Sequence, residues 1–121
     1  MITSNRHRRA QRRAMIREIR AHNRAGRNVN TGAPQTAKTH LLAAGVDTAA
    51  AARFAPAFSR SVIPTATTTG RVKLTRRSRK TKTVPVKVYD LATFRARLAV
   101  YRPKDATAAA TFAAAATALA A

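Results

Sequence analysis

The sequence predicts an α+β fold that is mostly helical, and three observations carry the prediction. Residues 71 to 90, RVKLTRRSRKTKTVPVKVYD, hold two alternating β-branched runs around a cluster of positive charge. Val72 and Leu74 alternate with Arg71, Lys73 and Thr75, while Val84, Val86 and Val88 alternate with Pro85, Lys87 and Tyr89. A period of two gives a two-stranded hairpin one apolar and one cationic face. Helical patterns flank it: an Arg-rich segment and short helices before, an amphipathic helix and an Ala-rich segment after. Charge is the third observation, with 24 Lys and Arg against four acidic residues and a net charge of +20.

A chain of 121 residues is one small domain with tails. We divide it into an Arg-rich helical arm at 1–27, a linker at 28–35, a central domain at 36–104 and an Ala-rich helical tail at 105–121. The charge sits in two blocks, +8 over residues 1–27 and +11 over residues 71–104. Four carboxylates cannot neutralise such blocks internally, so the pattern calls for a polyanion, with counterion release as the driving force.

The composition also excludes chemistry. There is no cysteine for a disulfide, a thiolate nucleophile or a Cys-based zinc site. Gly-rich phosphate loops, GxSxG and His-Glu-x-x-His are missing, the acids are scattered, and His7, His22 and His40 read as polar surface without partners. No catalytic residue, metal ligand, cofactor or small-molecule substrate is expected. With no secretory signal and no apolar run long enough to span a membrane, a cytoplasmic, nucleoid-associated protein is expected.

Residues 4–25 read as a helix capped by Ser4 or Asn5 and stopped by Gly26. Arg6, Arg9, Arg13, Arg17, Arg20, Arg24 and Arg27 recur every three or four positions and form one stripe. The stretch Arg6-His7-Arg8-Arg9-Ala10-Gln11-Arg12-Arg13-Ala14 resembles the arginine-rich motif of lambdoid phage N antitermination proteins, which fold as a helix on an RNA hairpin. A basic arm tracking DNA backbone without selectivity is the other reading, and we favour it. GRNVNTGAPQ, residues 26–35, has the composition of a flexible tether.

Thr36 is a candidate cap for a helix that buries Leu41, Leu42 and Ala44. Gly45 ends it, Val46 is a buried plug, and Asp47 or Thr48 caps the next helix. Short helix, glycine turn, apolar plug and capped second helix are the parts of a helix-turn-helix, or of an ordinary helical hairpin. Pro56 should break the second helix near Phe54, or else kink it. We favour the break, leaving PAFSRSVI as its own helix with Phe54, Phe58, Val62 and Ile63 packed and Arg53, Ser59, Arg60 and Ser61 exposed. TATTTG is a loop into the hairpin, whose tip carries Arg76, Arg77, Arg79, Lys80 and Lys82. Asp90 then caps LATFRARLAVYR, with Leu91, Phe94, Leu98 and Tyr101 in an apolar stripe able to cover the hairpin, and Arg95, Arg97 and Arg102 facing out. DATAAATFAAAATALAA, with Phe112 and Leu119 on one side, is either a docking helix or a frayed tail, and we favour the tail.

The order helix, turn, helix, Pro, basic hairpin, then Tyr89-Asp90-Leu91 with Phe94 and Leu98, is similar to winged helix-turn-helix proteins of the MerR and excisionase type. Val62-Ile63-Pro64 resembles the apolar pair and proline before their wing, and the whole chain looks like small basic proteins of actinobacterial phages. The resemblance implies a small winged helix-turn-helix core that binds double-stranded DNA, as a transcriptional regulator or recombination accessory factor. The second and third helices would lie at the major groove. The nucleic-acid-binding candidates are then Arg6, Arg9, Arg13, Arg17, Arg20, Arg53, Ser59, Arg60, Arg76, Arg77, Arg79, Lys80 and Lys82. DNA is favoured over RNA, no membrane partner is expected, and a homodimer is compatible with the pattern. The alternatives are an RNA-binding, antitermination-like protein and a structural protein that condenses nucleic acid by charge alone.

Overall fold

A computed structural model of the chain describes residues 2–60, 62–77 and 79–120. The fold is α+β and mostly helical: α1 (Ile2–Asn30), α2 (Ala37–Ala43), α3 (Thr48–Ser59), an antiparallel hairpin of β1 (Ala66–Lys73) and β2 (Thr81–Val88), α4 (Leu91–Val100) and α5 (Ala106–Ala120). Ser61 and Ser78 lie outside the described residues.

The turn between α2 and α3 forms as the local signals require. The Thr36 hydroxyl accepts from the Thr39 amide at 3.2 Å, and Gly45 takes φ +98°, a backbone state that a side chain disfavours. Val46 is fully buried and Asp47 caps α3 by accepting from the Ala50 amide. Leu41 is fully buried, whereas Leu42 and Ala44 are only partly so, and Ala37 and His40 complete the inward face.

Three expected breaks are absent. α1 starts at Ile2 rather than at Ser4 or Asn5 and runs through Gly26 to Asn30. A glycine in a helix interior costs about 1 kcal/mol, a small term beside the docking of the following turns, where Ala25 is buried and Val29 half-buried. The expected tether is also held. Gln35 N donates to the Tyr89 carbonyl at 2.9 Å, Tyr89 N donates to the Gln35 carbonyl at 2.7 Å, and the Gln35 side chain reaches back to the Asn28 carbonyl.

The third break is at Pro56, which lies inside a continuous α3. Its missing amide costs about 3 kcal/mol, but burial of one large apolar side chain returns about 1.5 to 3 kcal/mol, and Phe58 is buried while Phe54 is half-buried. Ala52 and Pro56 both lie on the exposed side, where solvent can bond the carbonyl that Pro56 leaves without a donor. PAFSRSVI is therefore not a separate helix. Val62 packs against the core, but Ile63 is 86% exposed.

The core joins α2, α3, α4 and α5. Phe58 meets Phe94, Tyr101 and Phe112 at centroid distances of 5.4, 5.3 and 6.2 Å, and Phe54 stands edge-on to Phe112 at 5.8 Å. α5 is thus no frayed tail. Asp105 caps it, accepting from the Thr107 amide at 2.9 Å, and Ala108, Phe112 and Ala115 form its buried stripe against α4. In α4, Asp90 caps as expected and Phe94 and Leu98 are buried, but Leu91 lies at the exposed rim. Arg97 does not face out freely: its Nε donates to the Phe58 carbonyl at 2.8 Å and closes the end of α3.

The hairpin is longer than expected, because TATTTG is mostly strand rather than loop. Three consecutive β-branched threonines suit a strand, and Thr68 and Gly70 sit opposite Val86 and Val84. A Cβ at Gly70 would come within 2.7 Å of the Val86 methyl, so the glycine makes room for that valine. The expected alternation holds, with Val72, Val84, Val86 and Val88 on one face. α4 does not cover its distal half, where Val72 and Leu74 are 41% and 53% exposed.

Candidate nucleic-acid interface

Helical geometry sorts α1 into two sides. Glu18, His22 and Ala25 face the body of the protein, and the arginine stripe points the other way. The Glu18 carboxylate holds the helix down, accepting from the Thr48 amide at 2.7 Å and the Thr48 hydroxyl at 2.5 Å, with His22 Nε2 3.0 Å away. Those Thr48 donors, and secondarily His22, hold the Glu18 carboxyl below its ordinary range. Every residue from Ser4 to Arg17 is exposed, so Arg6, Arg9, Arg13 and Arg17 project on a free helical arm and Arg20 lies where the arm meets the body.

The hairpin forms the second cationic surface. Its base is pinned where Thr65 N donates to the Val88 carbonyl and Asp90 N donates to the Thr65 hydroxyl, each at 2.9 Å. The tip closes where Leu74 N donates to the Lys80 carbonyl at 3.2 Å, so Arg76, Arg77 and Arg79 ride in a short exposed loop. Lys82 is not in the tip. It belongs to β2, opposite Val72 on the apolar face.

The other face carries residues outside the candidate set: Arg71, Lys73 and Lys87, interleaved with Thr67, Thr69, Thr81 and Thr83, all exposed. Cations and hydroxyls together suit phosphate oxygens. Period two over residues 71–88 already places Arg71, Lys73 and Lys87 on this face, and a loop reading of TATTTG cuts off only Thr67 and Thr69.

Between these surfaces lies α3, whose outward side is Ala49, Ala52, Arg53 and Pro56. Arg53 is exposed, lies 4.8 Å over the Phe54 ring and pairs loosely with Asp105 at 3.7 Å. The Ser59 hydroxyl donates to the Ala55 carbonyl at 2.9 Å, so it is committed to its own helix rather than exposed as a donor. Arg60 is exposed just past the helix end. Pro85, Val86, Lys87 and Tyr89 face Ala52, Ala55, Pro56 and Ser59 across an open groove of about 530 Å³, which sets the hairpin base beside the C-terminal half of α3.

His40 departs most from its expected place on the polar surface. It is buried, its Nε2 lies 2.6 Å from the Tyr89 carbonyl and its ring stacks on Phe94 at 4.8 Å. A carbonyl only accepts, so Nε2 is assigned the proton. Burial lowers the His40 pKa, against a smaller opposing effect of the Tyr89 carbonyl and Asp90, and the ring is neutral in the fold. Nothing local in the sequence signals this contact across the chain. Among the described residues, no group of three or more His, Asp or Glu is placed to hold a metal, and no helix is long and apolar enough to cross a membrane.

No protein-family model, curated protein or solved structure matches this chain.

Proposed function

We propose that the protein binds double-stranded DNA as a small winged helix-turn-helix protein, serving as a transcriptional regulator or a recombination accessory factor. The observation that carries this reading is the pair of exposed cationic surfaces: six arginines and no acid over residues 2–17, and eight Lys and Arg with no acid over residues 66–88. The tight α2–α3 turn at Gly45 and the basic hairpin soon after α3 support the winged helix-turn-helix reading.

Duplex DNA is favoured over other nucleic acids on two grounds. A B-form major groove admits a helix or a two-stranded ribbon, whereas the deep, narrow groove of A-form RNA does not. Single-strand binders stack bases on exposed aromatic rings, and neither surface has an aromatic residue: the nearest ring, Tyr89, is buried.

The alanine-lined outer side of α3 favours a second reading, a structural protein that holds DNA by its phosphates with little base discrimination. Arg53 and Arg60 are the long donors available to read bases there. Competition at physiological salt among random-sequence duplex DNA, single-stranded DNA and duplex RNA tests the proposal. Preference for duplex DNA is expected. A defined footprint on selected sequences favours the regulator, uniform protection favours the structural protein, and preference for RNA or absence of binding overturns both.

A further inference from the structure

The two cationic arms leave the body at opposite ends of α3. Glu18 anchors α1 at Thr48, the first residue of α3, and the free part of α1 extends about 24 Å beyond that point at 1.5 Å per residue. The hairpin is rooted beside Ala55, Pro56 and Ser59 and reaches about 26 Å at 3.3 Å per residue. Along α3 the two roots stand about 10 to 16 Å apart.

What lies between them is only thinly basic, with Arg53 exposed on the outward side of α3 and Arg60 just past its end. Three of the four acidic residues gather at the N-terminal end of α3: Glu18 bonded to Thr48, Asp47 capping the helix, and Asp105 beside Arg53. Asp47, Arg53 and Asp105 line one cleft with Ala49 and Ala50. The alanine face of α3 continues toward the hairpin. A phosphate backbone running from one arm to the other would leave a cationic surface, pass the carboxylates at the N-terminal end of α3, and cross an alanine-lined stretch whose exposed long donors are Arg53 and Arg60. The arginine stripe of α1 also points away from the body to which the hairpin is joined.

We propose that the α1 arm and the hairpin are two separate duplex-DNA sites, so that a single chain bridges two DNA segments. This rests on the DNA-binding reading above. It assigns the acids around α3 a second consequence besides helix capping: they divide the positive surface in two.

The test is the mass and composition of complexes formed by the full chain with an excess of a short DNA duplex, measured by analytical ultracentrifugation. One chain with two duplexes is expected. Replacing Arg9, Arg13 and Arg17 with Ala, or separately Arg76, Arg77 and Arg79 with Ala, should each leave a complex of one chain with one duplex. These positions are exposed, and circular dichroism verifies the fold of each variant. A wild-type complex that stops at one duplex per chain overturns the two-site proposal while DNA binding stands. Two chains with two duplexes place bridging in a dimer and also overturn it. No complex with duplex DNA overturns the underlying reading.

Discussion

The body of this protein and its two arms are built from different materials. All four Phe and both Tyr belong to the body, where rings pack on rings across α3, α4 and α5. The α1 arm and the hairpin have no aromatic residue, yet hold 14 of the 24 cations. Burial stabilises the body, whereas the arms contain no acidic residue of their own. Folding and binding should therefore fail independently when each region is altered.

The largest expected effect is in the body. Phe112→Ala removes the ring that touches Phe54, Phe58 and Tyr101 and should cost about 3 to 5 kcal/mol. Chemical denaturation checks this, and a loss below about 1 kcal/mol would return α5 to the status of a loose tail. Gly45→Ala should cost about 1 to 2 kcal/mol, because a Cβ is disfavoured at φ +98° although space is open there. Unchanged stability would mean that the α2–α3 turn adopts another backbone state.

A smaller effect comes from pH. The fold keeps His40 neutral, so its contribution is fully present above the unfolded value of 6.5 and declines as pH falls below it toward the lowered folded value. Glu18 and Asp90, depressed by the donors of Thr48 and Thr93, contribute above their unfolded values of 4.5 and 3.8 and lose that contribution in more acidic solution. Melting temperature should begin to fall just below pH 6.5, and His40→Gln should flatten that first limb while leaving the carboxylate limb in place. Parallel curves for the two proteins would contradict the buried, neutral assignment.

The same contrast between body and arms explains which features are legible in the sequence. Thr36, Asp47 and Asp90 cap helices through bonds three residues away, and Gly45 sets its own dihedral angle, so a short window contains everything needed to find them. Alternation in the hairpin and charge in the arms are equally local. Pro56 and Gly26 mislead because their local cost is outweighed by packing that only the assembled body supplies. The order of the C-terminal segment is hidden for a related reason: alanine contributes little area, but it lets α5 approach α4 closely enough to bury Phe112 completely. His40 and Glu18 bond to residues 49 and 30 positions away, beyond any sequence window.

For the candidate interface, charge locates both arms and period two gives the cationic face that Arg71 shares with Lys73 and Lys87, but a hairpin that begins at Arg71 hides the threonine-rich half of β1. Ser59 is not the free donor that its sequence position suggests, because a hydroxyl in a helix can bond the carbonyl four residues back, and here it does.

The salt dependence of duplex-DNA binding tests most directly whether the arms, and not the body, carry the affinity. Replacing Arg76, Arg77 and Arg79 with Ala should reduce the slope of log K against log salt by up to about 0.9 for each phosphate no longer neutralised, about 2.7 for all three, with the melting temperature unchanged. An unaltered slope in a folded variant would contradict the assignment of the hairpin as a phosphate-binding arm.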